Sequence, residues 1–303
     1  MIRGYPQVTI CITTYNRKDK LLSCIDSVLK QQFQDFEIVV VDDFSSDGTD
    51  NINFDNVSDK VKYIRHSENL GLASARNTAI NIARGKYFTF VDDDDSWSEL
   101  FLEEMLKQVN PNDKKTIYCS QCLGVEVFTI TASLKQMMID GFTPPVAAQL
   151  YLTKELKDIG GYDTRIKSGV DHDLWFKFAT QSYNIKWLNQ SLVIQNVIES
   201  NDRMTCNYTH RLLNIEESIF IWKARMEGIF PDDFWFFLWE NYKYNSIMKE
   251  VRRKVRVRDF SGLPLLLCKL PYRVFYRDAL RRFIKRFFDN SIGLQGYFFK
   301  YKG

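Results

Sequence analysis

The chain has 303 residues, 45% of them hydrophobic and 26% charged, which suffices to bury a substantial core with an appendage and excludes a disordered or fibrous protein. The formal net charge of +3 hides an asymmetry: Lys249 to Arg286 holds thirteen Lys or Arg against three acids, net +10, leaving the remainder at −7. No eighteen apolar residues run uninterrupted, and the first apolar run is too short and too early for a secretion signal, so a cytosolic chain without a spanning helix is expected.

Val8-Thr9-Ile10-Cys11-Ile12 reads as a buried strand, and Leu21, Leu22, Ile25, Val28 and Leu29 then recur at helical spacing. Phe36 to Val41 is a second apolar run, closed by Asp42-Asp43. Lys62-Tyr63-Ile64, the alanine-rich stretch Leu72 to Ala83 and the run Tyr87 to Val91 give a further strand, helix and strand. Such alternation predicts a parallel sheet covered by helices, in which ligands bind beyond the carboxyl ends of the strands. The polar groups gather at those ends: Thr13-Thr14-Tyr15-Asn16-Arg17, Asp42-Asp43 and Asp92 to Asp95.

From about Thr116 to Val197 the pattern is more strand-like and turn-rich, with Gly160-Gly161 and Gly169 as breaks. Cys119 and Cys122 have the gap of a zinc or redox pair, but no second pair follows and the flanks read as strand, so packing is the expected role. The other cysteines show no disulfide-framework spacing, as in a reducing compartment. After Asn207 the chain turns helical and aromatic.

Asp92 to Asp95 is the segment most in need of a partner. Packed carboxylates repel one another, and without a counter-ion some shift toward the protonated form. A hard divalent cation relieves this, and Mg²⁺ is commonly held by one or two carboxylates together with substrate phosphates. No Cys or His cluster accompanies the run, which points to an oxygen-only Mg²⁺ or Mn²⁺ site over zinc. An isolated acidic run is more often a solvated loop; the strand before this one and the motifs around it favour a metal.

Four patterns in order resemble the family 2 glycosyltransferases, inverting nucleotide-sugar enzymes of the GT-A fold. They are Val8 to Arg17; Glu37 to Thr49, with Asp42-Asp43; Asn69 to Asn77 followed by Phe90-Val91-Asp92-Asp93-Asp94-Asp95; and Gly160-Gly161-Tyr162-Asp163 with Ser168-Gly169-Val170-Asp171-His172-Asp173. The resemblance implies a Rossmann-like mixed sheet flanked by helices and a nucleoside-diphosphate sugar donor, a UDP-sugar favoured. It places the nucleotide against Thr13 and Tyr15, the base on Asp43, the diphosphate near Arg76, and Asp92 and Asp93 on the donor side, Asp92 toward ribose or metal. Asp94 becomes the direct metal ligand. Asp171 becomes the catalytic base, although the Glu that precedes it in the family is Val170 here. Asn16, Asn77, Asp95, His172 and Asp173 are possible supporting residues, Asp173 being the rival base, and Arg203-Met204-Thr205 with His210-Arg211 could close over the donor.

From Tyr272 to Phe288 apolar residues recur at steps of three and four, with Arg273, Arg277, Arg281, Arg282, Lys285 and Arg286 on another face. Such a helix can lie on an anionic membrane or pack on the protein body; no nucleic-acid recognition motif accompanies it. The expected organisation is a GT-A domain over 1–225 and a mostly α-helical, basic extension over 226–303. The expected activity is metal-dependent hexosyl transfer to a hydroxyl of a glycan acceptor, polyprenyl-linked, in surface polysaccharide biosynthesis such as O-antigen (lipopolysaccharide) or capsule. The enzyme would then sit on the inner face of the cell membrane. A nucleotidyltransferase acting on a sugar phosphate and a non-catalytic, membrane-docked scaffold are the alternatives.

Overall fold

The computed structural model describes residues 4–123, 134–139, 144–195, 208–230 and 232–256. The chain divides into two compact units, Met1–Val197 and Ile198–Gly303. In the first, four strands are parallel: β1 (Val8–Thr14), β2 (Phe36–Asp42), β3 (Val61–Arg65) and β4 (Tyr87–Asp92). Helices α1 (Lys18–Leu29) and α2 (Leu72–Ile82) connect them. The same unit adds β5 (Asp95–Trp97), α3 (Phe101–Lys107), β6 (Thr116–Cys122), α4 (Leu134–Ile139), β7 (Gln149–Leu152), α5 (Thr153–Asp158), α6 (Val170–Thr180) and β8 (Asn184–Gln195). The eight described strands form one sheet in the order β3-β2-β1-β4-β7-β6-β8-β5, and the antiparallel pairs β4 with β7, β7 with β6 and β8 with β5 make it mixed.

Each central strand is an apolar run because helices cover both faces of a parallel sheet. Every residue of β2 is buried, as are six of the seven in β1. Helix α1 turns Leu21, Cys24, Ile25 and Val28 inward, the face its sequence spacing marks out. Beta strands 1 and 4 approach closely at Gly85, where any Cβ would overlap the backbone of Val8 and Thr9. Register then brings the strand ends level: Thr13 lies opposite both Val41 and Asp92, and Thr14 opposite Asp42. The polar residues that follow therefore share one rim, at the point where the strand order reverses about β1.

Among its described residues the stretch after Thr116 holds α4, α5 and α6 beside β6, β7 and β8. Helices of six residues, such as α4 and α5, span too few turns to show a period. Cys119 and Cys122 lie buried on β6 as free thiols, and burial pushes Cys122 up to about 12, so neither offers a ready thiolate for metal or redox work.

The second unit contains α7 (Tyr208–Arg225) and α8 (Asp232–Arg256), which pack on each other. Phe230 and Phe234 stack with centroids 4.8 Å apart, and the Trp239 indole donates to Glu216 at 3.1 Å. No described helix is long and apolar enough to cross a membrane. Arg203-Met204-Thr205 and the basic segment Tyr272 to Phe288 lie outside the described residues.

Candidate active site

At the carboxyl ends of β1 and β2, two loops are laced together through Asn16. Its backbone takes φ 54°, its N–H donates to Ser45 Oγ at 2.8 Å, and its side-chain Oδ1 accepts from the Ser46 N–H at 2.7 Å. Thr13 is half-buried and Tyr15 exposed on this rim. Asp43 is buried, and both its oxygens are engaged. Oδ1 accepts from the Leu70 N–H at 2.9 Å and lies 2.7 Å from His66 Nδ1, while Oδ2 accepts from the Gly71 N–H at 2.7 Å. Gly71 sits at φ 86°, a conformation that suits glycine, and so lets the chain turn into α2 with its N–H on Asp43. A nucleotide base reaching Asp43 would share a carboxylate that already fixes the start of α2.

The four aspartates after β4 divide by environment. Asp93 is buried and accepts from Thr14 Oγ1 and from Arg17 Nη1, both at 2.8 Å. Burial pushes its carboxyl up to about 6 against the pull of Arg17 and Thr14. Asp94 lies 3.5 Å from the same Arg17 nitrogen, and Asp95 is buried in β5 opposite Gln195. Asp92 differs: its side chain is 40% exposed, and Arg76 Nη2 donates to its Oδ1 at 3.1 Å. Burial pushes Asp92 up, Arg76 opposes, and the neighbouring Asp171 and Asp94 charges add to the rise.

Arg76 is no surface cation; at 1% exposure it is among the most deeply buried side chains. Its second nitrogen, Nη1, donates to Oδ1 of Asp171 in the first turn of α6. Its Cζ lies 5.3 Å from the centre of the Phe90 ring and 5.4 Å from that of Tyr162, within cation–π range of both. Asn77, the next residue, holds the main chain of Tyr162 from both sides: its Nδ2 donates to the Tyr162 carbonyl at 2.9 Å, and its Oδ1 accepts from the Tyr162 N–H at 2.8 Å.

Helix α6 begins after Gly169 at φ 71° and buries Leu174, Trp175 and Phe178. Asp171 stays 42% exposed with Arg76 as the only described residue hydrogen-bonded to its carboxylate. Asp173 is fully buried, and its Oδ2 accepts from the Asp163 N–H at 2.8 Å, which commits it to the turn before α6. Between the two, burial pulls the His172 ring down to about 4. Tyr162 Oη is buried with no hydrogen-bond partner among the described residues.

No described group of three or more Cys, His, Asp or Glu is arranged to hold a metal ion by itself. What the rim presents is Asp92, with an oxygen uncommitted to any described donor, and Asp94 two residues on. This all-oxygen, sparse donor set fits a hard divalent cation that completes its shell with substrate phosphates. Arg17 is the residue that sequence reasoning missed. Its position in the polar string after β1 was visible, but its partners, Asp93 and Asp94, become neighbours only when β1 and β4 pair.

The sequence model of glycosyl transferase family 2 matches residues 9–170, more than half the chain, and the chain belongs to that family. An uncharacterised glycosyltransferase of Rickettsia prowazekii, RP339, is 31% identical over 197 residues, covering 57% of this chain and 58% of the relative, so the chain spans less than two thirds of that relative's length. Among solved structures, the mannosyltransferase PcManGT of Pyrobaculum calidifontis with GDP-Man and Mn²⁺ superposes with a TM-score of 0.59 at 19% identity, covering 87% of this chain and 74% of the other. Residues 1–349 of S. aureus TarS with UDP-GlcNAc give 0.57 at 20% identity, covering 88% and 82%. At those identities the likeness shows the fold, which is GT-A.

Proposed function

We propose that the chain transfers a sugar from a nucleoside-diphosphate donor to a hydroxyl of a glycan acceptor, with Asp171 as general base and inversion at the anomeric carbon. The observation that carries this reading is the meeting of two half-exposed carboxylates, Asp92 from the sheet rim and Asp171 from α6, at one buried guanidinium. One belongs to the strand end where a nucleotide diphosphate would lie, the other to a helix start beyond it. An attacking hydroxyl must lose its proton as it approaches the face opposite the leaving group, and a carboxylate with a free oxygen beside the donor can accept it. Asp173 is the weaker candidate because its carboxylate already holds the Asp163 N–H.

Asp92 and Asp94, with the diphosphate, would hold Mg²⁺ or Mn²⁺, whose charge stabilises the departing nucleoside diphosphate. Thr13 and Tyr15 border the nucleotide, and Asn16 and Asp43 keep the surrounding loops in shape. The solved relatives that carry UDP-GlcNAc and GDP-Man support a nucleotide sugar as the donor class. We further place the acceptor on a polyprenyl carrier in surface polysaccharide assembly, with the body at residues 1–225 and the basic tail from Tyr272 to Phe288 held to the inner face of the membrane; the support is the amphipathic pattern of that tail.

The test is a panel of UDP- and GDP-sugars incubated with Mg²⁺ or Mn²⁺ and with a chelator. The reading expects release of the nucleoside diphosphate only when the cation is present. Release of pyrophosphate, or turnover unaffected by chelation, would overturn it.

A further inference from the structure

We propose that Arg76 is a positioning residue that sets the spacing between Asp92 and Asp171, in place of a grip on the donor diphosphate. The inference deepens the reading above and rests on its assignment of Asp171 as base.

A guanidinium is a rigid plane with its donors in fixed directions, so two carboxylates bound to its two terminal nitrogens take up a fixed separation. Here Nη2 holds Asp92 and Nη1 holds Asp171. The plane itself is held by the rings of Phe90 and Tyr162 and is shut off from solvent. A phosphate oxygen could engage either nitrogen only by competing with one of these carboxylates. Conversely, without Arg76 the two carboxylates would lose their shared counter-charge and repel.

The surroundings act in the same direction. Asn77 clasps the Tyr162 backbone, and it can do so because Gly161 has no side chain; a Cβ there would overlap Asn77 Oδ1. Lys177 Nζ donates to the Gly161 carbonyl at 2.5 Å, and Asp173 accepts from the Asp163 N–H. Neighbouring residues of α2 thus secure both the turn leading into α6 and the carboxylate α6 carries. The helix that packs on β1 and β2 thereby fixes the base relative to the end of β4.

The experiment combines Arg76→Lys with Asp171→Asn. Lysine keeps the charge but, as a point donor, cannot hold two carboxylates at set positions. We expect Arg76→Lys to lower kcat by about 100-fold while donor KM stays within a few-fold, and to add no further loss in an Asp171→Asn background, since residues acting as a unit are non-additive. A rise in donor KM with kcat intact would assign Arg76 to the diphosphate, and losses that multiply would separate it from Asp171; either overturns the proposal.

A ligand-free measurement keeps the proposal open to refutation if Arg76→Lys does not fold or the enzyme turns over none of the donors. Asp92→Asn and Asp171→Asn each leave the buried guanidinium one charged partner, whereas the double variant leaves none. The double variant's melting temperature is expected to fall by more than the sum of the single shifts. Shifts that merely add would refute the bridge, whatever becomes of the assigned reaction. Absent turnover alongside super-additive shifts would instead refute the reaction and leave the bridge standing.

Discussion

Replacing Asp93 by asparagine removes one charge from the acidic run with almost no change of shape. In the folded protein burial holds this carboxyl at about 6, against an ordinary value of 3.8. A raised native value means that, between those two points, the folded chain binds more protons than the unfolded one. Stability therefore falls as pH climbs through the window and levels off above it. The difference of about 2 units corresponds to roughly 3 kcal/mol of destabilisation at pH 7.5, shrinking to about 1 kcal/mol at pH 4.5. A neutral amide in the same place would carry no such burden, and its carbonyl could still accept from Thr14 or Arg17. Arg17 would keep Asp94 as a charged neighbour.

The Asp93→Asn variant should accordingly be more stable than the parent by about 1–3 kcal/mol at pH 7.5, or roughly 2–10 °C in Tm, with the gain largely gone at pH 4.5. Thermal unfolding at the two pH values, in chelator and without nucleotide, measures it. An equal effect at both pH values, or destabilisation at pH 7.5, would show that the burial of Asp93 does not carry the cost assigned to it.

Other perturbations bear on the neighbouring groups. His172 is held neutral by burial, with its ring pulled down to about 4 from 6.5. Its contribution is fully present above pH 6.5 and is lost as pH falls toward 4, so His172→Gln should flatten the acid side of a stability–pH curve by up to about 3 kcal/mol, as urea unfolding between pH 7 and pH 4 would record. Tyr162→Phe deletes a buried hydroxyl that has no partner among the described residues while keeping the ring beside Arg76, so stability should hold or rise by up to about 1 kcal/mol and sugar transfer should persist. A large fall in kcat would give that hydroxyl a place in the reaction.

Much of this architecture can be read from the chain because its central strands are buried on both faces and appear as uninterrupted apolar runs. The sequence places β1, β2 and β4 within one or two residues, and with them the rim where Asp42, Asp43 and Asp92 to Asp95 stand. The ion pairs on that rim are a different matter. Arg17 meets Asp93 across a strand pairing, and Arg76 meets Asp171 across two helices; no local period records either contact. The acidic run thus proves to be partly neutralised from within, Asp93 and Asp94 by Arg17 and Asp92 by Arg76, where its sequence alone pointed to a metal as the counter-charge. Burial likewise separates residues that look alike in sequence: Asp93 and Asp95 are enclosed, whereas Asp92 and Asp94 are only partly buried.

The assignment of Asp171 as the base is tested most directly by Asp171→Asn. With a donor from the nucleotide-sugar panel and the divalent cation present, the variant should still show the parent's donor-dependent rise in melting temperature, because Asp92, Asp94 and the β1 rim are untouched. Its transfer rate should fall by roughly 100- to 10,000-fold, as expected when the group that accepts the proton is removed. Retained turnover with donor binding intact would contradict the account and move the base elsewhere on the rim.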